Sequence, residues 1–368
     1  MGSVDDERLG AHAARPVKPL VARAPLLALG AICLVTGVAA GLAQLGWGMP
    51  AWAAQAAELH AVLMIVGFFG TLIALERAVA LGKLWGYVAP PALALSALAA
   101  LQGLWPVATA FALAGAVVLL AVAVVQALQA RALHGWVLAG GALSFAAGVA
   151  LWLADAGLQS AIACWLAFFV FTISGERLEL ARVLRPAPAV RAWFVAAAAL
   201  FALGVAAVAL GLDARWQLLG VGLVLLAAWL AVHDIARRTV RQQGLTRYIA
   251  VCLLAGYFWL AFAGLLFASG LGAARAWDAA LHALLVGFVL SMVFGHAPII
   301  FPAVLRVKLP YTPWLYLPLA LLHASLVLRV AGVAAESLGA RAWGGAGHAA
   351  AIALFIVTMA GNTLRARR

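Results

Sequence analysis

Apolar residues run in twelve blocks of about 20 along the chain, parted by short polar, glycine- or proline-containing stretches. They fall at roughly 25–46, 57–80, 85–105, 107–130, 133–154, 158–178, 190–211, 215–235, 247–271, 277–302, 312–333 and 345–364. A block of that length crosses the roughly 30 Å hydrocarbon core of a bilayer as a helix. No water is available there to satisfy the backbone, so each segment pairs its own N–H and C=O groups. The pattern predicts an all-α polytopic membrane protein with twelve transmembrane helices. Residues 1–24 are polar and lack the apolar core of a signal peptide, so they read as a short cytoplasmic N-terminal tail. Residues 25–368 read as a single twelve-helix transmembrane domain.

Charge adds orientation. If the N-terminus is inside, twenty Lys and Arg residues fall on inside segments, among them Arg77, Lys83, Arg177, Arg237, Arg306 and Arg365. Only Arg215, Arg275, Arg329 and Arg341 fall outside. That bias predicts both termini in the cytoplasm, an N-in/C-in topology. The net charge of +12 is spread over short loops and gives no reason to expect nucleic acid as a partner. With 67% hydrophobic residues, 10% charged ones and a mean hydropathy of +1.09, a soluble domain is excluded and the lipid bilayer is the first partner. Cys33, Cys164 and Cys252 lie inside apolar blocks without C-x-x-C spacing, which supports neither disulfides nor a zinc cluster. Six of the fourteen tryptophans, Trp47, Trp52, Trp85, Trp105, Trp277 and Trp314, stand near block ends, as in an aromatic belt.

The second, sixth and tenth blocks align with one another. GFFGTLIALERAVAL from Gly67, AFFVFTISGERLELA from Ala167 and GFVLSMVFGHAPIIF from Gly287 bring Phe68, Phe168 and Phe288 together, and likewise Glu76, Glu176 and His296. Each is the second helix of a group of four. The chain therefore reads as three pseudo-threefold repeats of four helices about an axis along the membrane normal.

The candidate chemistry lies in ionisable residues within apolar runs, where a charge costs roughly 2.5–3.5 kcal/mol or more. His282 and His296 both sit in HALLVGFVLSMVFGHAPIIFP. At about 100° per residue they return to within roughly 40° of one face, about 21 Å apart along the axis. His60, at the start of the second block, falls at the depth of His282. Two imidazoles on two helices at one depth can ligate a haem iron or a copper ion, or each can simply bond a carbonyl. Glu76, Glu176 and His296 form a second layer that can hold a divalent metal or take up protons. Helix-end ion pairs with Arg77 and Arg177, and between Glu179 and Arg182, explain those carboxylates equally well. Pro298, just after His296, is expected to distort its helix. His323, mid-block, is a candidate further ligand or a histidine bonded to a neighbouring helix, and Arg329 is a candidate donor to a haem propionate. His12, His134, His233 and His348 read as tail, loop or helix-end residues. The basic loop from Arg237 to Arg247 reads as a headgroup contact. No nucleotide-binding glycine motif and no C-x-x-C-H for covalent haem is present.

Twelve spans, the threefold pattern and histidines on helices 2 and 10 resemble subunit I of the haem-copper oxidases. The resemblance implies a low-spin haem held between His60 and His282. Ala280 stands where that family has a second helix-10 histidine, and its copper ligands on helices 6 and 7 have no counterpart, so the resemblance does not extend to an oxygen-reducing centre. HAVLMIVGFFGTLIA in helix 2 and HALLVGFVLSMV in helix 10 are more closely similar to the NnrS family, twelve-span haem and copper proteins connected with nitric oxide stress and denitrification. PAVLRVKLP replaces that family's basic, glycine- and histidine-containing stretch after helix 10.

The resemblance implies a bacterial inner-membrane protein with haem b and copper, nitric oxide or another diatomic gas as ligand, and a homo-oligomeric or respiratory partner. A metal-ion or small-solute transporter without haem is the alternative. A cofactor-free assembly subunit of a respiratory complex is a third reading.

Overall fold

The computed structural model describes residues 23–184, 186–213, 215–270 and 273–366. The expected N-terminal tail lies outside them, apart from Arg23 and Ala24, which already open the first helix. Among the described residues twelve helices are long and apolar enough to cross a membrane, so the chain is a multi-pass membrane protein. They are α1 (Arg23–Gln44), α2 (Ala57–Leu81), α3 (Leu84–Leu101), α4 (Trp105–Ala130), α5 (Leu133–Leu153), α6 (Leu158–Leu184), α7 (Pro188–Ala209), α8 (Arg215–His233), α9 (Gly244–Ala268), α10 (Trp277–Leu305), α11 (Pro313–Ala334) and α12 (Leu338–Arg365).

Several helices outrun their apolar blocks, α6 reaching Leu184 and α9 starting at Gly244, and two of the extensions have a visible cause. α12 begins at Leu338 rather than 345, because Ser337 caps it by accepting a hydrogen bond from the Ala340 amide at 3.2 Å. The stretch RAWGGAGH is too polar and glycine-rich to join a hydropathy block, yet nothing in it breaks a helix. α10 continues through Pro298 and Pro302 to Leu305 and ends where Arg306 turns left-handed at φ 56°. Arg306 is one of four non-glycine residues with positive φ among the described residues.

α2 and α10 share a departure from α geometry. Residues Leu63–Gly70 of α2 and Ala283–Leu290 of α10 are π-helical, with hydrogen bonds from i to i+5. Under the alignment of Gly67 with Gly287 the two π segments fall on the same eight positions. Each is followed by a hydroxyl that bonds a neighbouring backbone: Thr71 donates to Pro90 O at 3.0 Å and Ser291 to Cys252 O at 2.8 Å. Gly67 lets α1 and α3 approach, since a Cβ there would lie 2.9 Å from Cys33 and from Ala97. π turns inside helices concentrate at functional sites.

Burial orders the bundle. The apolar 18-residue stretch of α6 is 78% buried, that of α10 61% and those of α2 and α3 56%, against 22% for α12, which places α6, α10, α2 and α3 toward the middle. The ring of Phe69 on α2 meets that of Phe169 on α6 at 5.0 Å, edge to face. α7, α8 and α9 pack through glycines: a Cβ on Gly222 would lie 2.5 Å from the Phe201 Cα, and one on Gly220 would lie 2.4 Å from the Ala268 amide. The turn after α1 closes on α12, where Trp47 donates to Ala342 O at 3.1 Å and packs on Trp343 at 5.0 Å.

Candidate functional site

Two cavities lie along the middle of the bundle. At one end, a cavity of about 150 Å³ is bounded by α1, α2, α10, α11 and α12 and lined by His60, His282, His348, Asp278 and Arg329 among apolar residues such as Met64, Leu285 and Ile352. Beyond it, a cavity of about 80 Å³ is lined by α2, α6 and α10 alone, with Glu76, Glu176 and His296 at its polar edge. Phe69 lines both and stands between them.

At the histidine end, one short 3-10 turn, Ala57–Leu59, leads into His60. Its Nδ1 lies 2.7 Å from Gly37 O on α1, so in the neutral ring Nδ1 carries the proton and Nε2 keeps its lone pair. Gly41 makes room for this ring, since a Cβ there would come within 2.8 Å of it. His282 is held the same way, with Nδ1 2.8 Å from Asp278 O and 3.3 Å from the Asp278 carboxylate. Both rings therefore have the second-nitrogen anchor that fixes tautomer and orientation in ligating histidines. The Asp278 carboxylate also accepts from Arg329 on α11 at 2.8 Å and lies 3.6 Å from Arg341 on α12. Arg329, expected to face a propionate, does line the cavity, but already has this partner.

Sequence reasoning missed two members of this cluster. His348, read as a helix-end residue, is 7% exposed and well inside α12, with its ring 6.3 Å from that of His282 and the planes 15° apart. The signal was Ser337, whose cap starts the helix early enough to carry His348 into the bundle. Asp278 was readable as an acid one helical turn before His282 at the mouth of an apolar span. His134 stands at the start of α5, a helix-end position, but is buried rather than solvated, with Nε2 3.7 Å from Glu179, which takes the place of the expected Glu179–Arg182 pairing.

The second layer is brought together as expected, with its partners redistributed. Arg77 donates to Glu176 on α6 and, at 3.5 Å, to its neighbour Glu76. Arg177 reaches His296 on α10, with Nη2 3.1 Å from Nε2, and His296 Nδ1 donates to Met292 O at 2.7 Å. Both nitrogens of His296 are thereby occupied, and the guanidiniums sit where a cation would have to sit. Among the described residues no group of three or more His, Cys, Asp and Glu side chains is arranged to hold a metal ion. His323 is set apart from both cavities: Trp259 on α9 donates to its Nδ1 at 3.0 Å and packs parallel to it. In that tautomer its Nε2 carries a proton and is a donor. The three cysteines are free and buried.

In the α8–α9 loop, Asp234 is buried and accepts from Tyr257 Oη and from the Ala236 amide, both at 2.7 Å, so it is a structural acid. A cavity of about 470 Å³ beside it is lined by His233, Arg237, Arg238 and Arg241.

A family model described as Domain of unknown function (DUF8744) matches residues 23–364. No curated protein and no solved structure matches the chain.

Proposed function

Because the chain belongs to the DUF8744 family, a family without an assigned function, we propose from its own geometry that it is a membrane haem protein of NnrS-like type. His60 and His282 would serve as the axial ligands of a b-type haem. The observation that carries this is the pair of imidazoles on α2 and α10 that face one cavity, each with Nδ1 anchored on a carbonyl and Nε2 free.

The residues fit the group. Apolar side chains line the walls, and Asp278 with Arg329 and Arg341 leaves one net positive charge for propionates. At about 150 Å³ the cavity is smaller than the roughly 300–1,000 Å³ of small-molecule pockets. Loading would therefore draw the lining side chains apart. A bound haem would supply one-electron redox chemistry and, where an axial position opens, a site for nitric oxide or another diatomic gas. The protein's part is to orient the two imidazoles, to exclude bulk water with Phe69 and its apolar neighbours, and to hold the Asp278–Arg329 pair beside them.

Support for the threefold arrangement comes from the second layer. Arg77 to Glu176 and Arg177 to His296 are successive steps of one pattern, α2 to α6 and α6 to α10, at the spacings of the alignment. The third step would start from Ala297, which has nothing to donate. In this reading the protein sits in a bacterial inner membrane with both termini cytoplasmic.

The test is a visible spectrum of purified protein, oxidised and dithionite-reduced. Sharp reduced α and β bands are expected, and they are expected to vanish in His60→Ala; a band unchanged by that substitution overturns the assignment of His60. A second reading, a small-solute or ion transporter, is favoured by the two cavities meeting at Phe69 between paired π segments. It predicts a colourless protein that takes up solute in vesicles.

A further inference from the structure

We infer that His348 is a reserve ligand of the same site, able to take the place of His282 on the haem iron. The inference rests on the haem reading. His60 and His282 each spend one ring nitrogen on a carbonyl, and Asp278 is shared between Arg329 and Arg341. His348 is the third imidazole of the cavity: it is buried, and its Nε2, like Asp278 Oδ2 and Arg329 Nε, is a buried polar atom without a hydrogen-bond partner. A buried polar nitrogen without a partner costs about 1–3 kcal/mol, and such groups point to an absent ion or ligand.

Position adds to this. The His348 ring lies 6.3 Å from that of His282 with planes only 15° apart, so the two rings stand nearly parallel in the wall of one cavity. α12 is fixed there by close contact with α11: a Cβ on Gly344 would lie 2.7 Å from the Arg329 Cβ, and one on Gly347 would lie 2.4 Å from the Ser325 Cβ. α12 is therefore fixed by packing, and His348 would cover the 6.3 Å between the two rings by turning its side chain. Were His282 to leave the iron, His348 would supply the imidazole for the vacated position. The exchange makes and breaks one coordinate bond each and needs no further reactant.

Haem-loaded wild type, His282→Ala, His348→Ala and the double variant separate the outcomes by optical and paramagnetic resonance spectra of the oxidised protein. His282→Ala is expected to stay low-spin and six-coordinate, His348→Ala to match wild type, and the double variant to become high-spin. A high-spin His282→Ala protein overturns the inference while leaving the haem reading intact. Wild type without a haem band overturns both. Should His282→Ala fail to fold, His282→Gln keeps the side-chain volume and decides between the same outcomes.

Discussion

Asp278 accepts from Arg329 at 2.8 Å, lies 3.6 Å from Arg341 and faces the ring of His282, so one carboxylate joins α10 to α11 and α12 and steadies the imidazole. Its removal strands Arg329, whose side chain is 7% exposed. Asp278→Ala is expected to cost about 3–5 kcal/mol, read as a lower melting temperature in detergent, while Arg341→Ala, removing the longer and more exposed contact, changes it far less. Loss of this support is also expected to weaken haem retention about 10–100-fold, the usual effect of removing a group that orients a ligand. At this scale His60, His282, Glu76, Glu176 and His296 were legible because ionisable residues stand out in an apolar run. What each one bonds to was not. Arg177 bypasses the adjacent Glu176 for His296, and His323 turns to Trp259, because those partners lie on helices distant in sequence. His348 was hidden by its glycine-rich setting.

The π segments set the register of α2 and α10. A count at 100° per residue placed His282 and His296 on one face, but that count assumes i to i+4 pairing throughout, and Ala283–Leu290 does not follow it. The wider turns let His282 serve one cavity and His296 the next. Deleting one residue from the segment, for example Val286, is expected to restore α pairing and to swing His282 about 100° relative to the far half of α10. The measurement is the haem spectrum of the folded variant, and loss of low-spin character without loss of the protein from the membrane is the expected result. Nothing in LLVGFVL marks a π turn in advance, since apolar residues and a glycine suit an α-helix in a bilayer equally well. Helix existence was legible for the opposite reason: bilayer thickness fixes block length, and all twelve blocks became helices.

For the whole molecule, class and span count followed from hydropathy, but the packing order did not. α6 is 78% buried and α4 39%, although α4 is the more apolar of the two, because lipid rewards an apolar surface as much as a protein neighbour does. Orientation rests on Lys and Arg placement. A reporter fused to the C-terminus is expected to read as cytoplasmic and one inserted in the α11–α12 turn as external; the reverse pair of signals overturns the N-in/C-in assignment. Phe69 has one more consequence at this scale. Water entering the two cavities from opposite ends would bring both aqueous phases up to one phenyl ring, and the transmembrane voltage would then drop mainly across it. A charge crossing that ring would exchange about 2.3 kcal/mol with every 100 mV of membrane potential over a distance of one side chain.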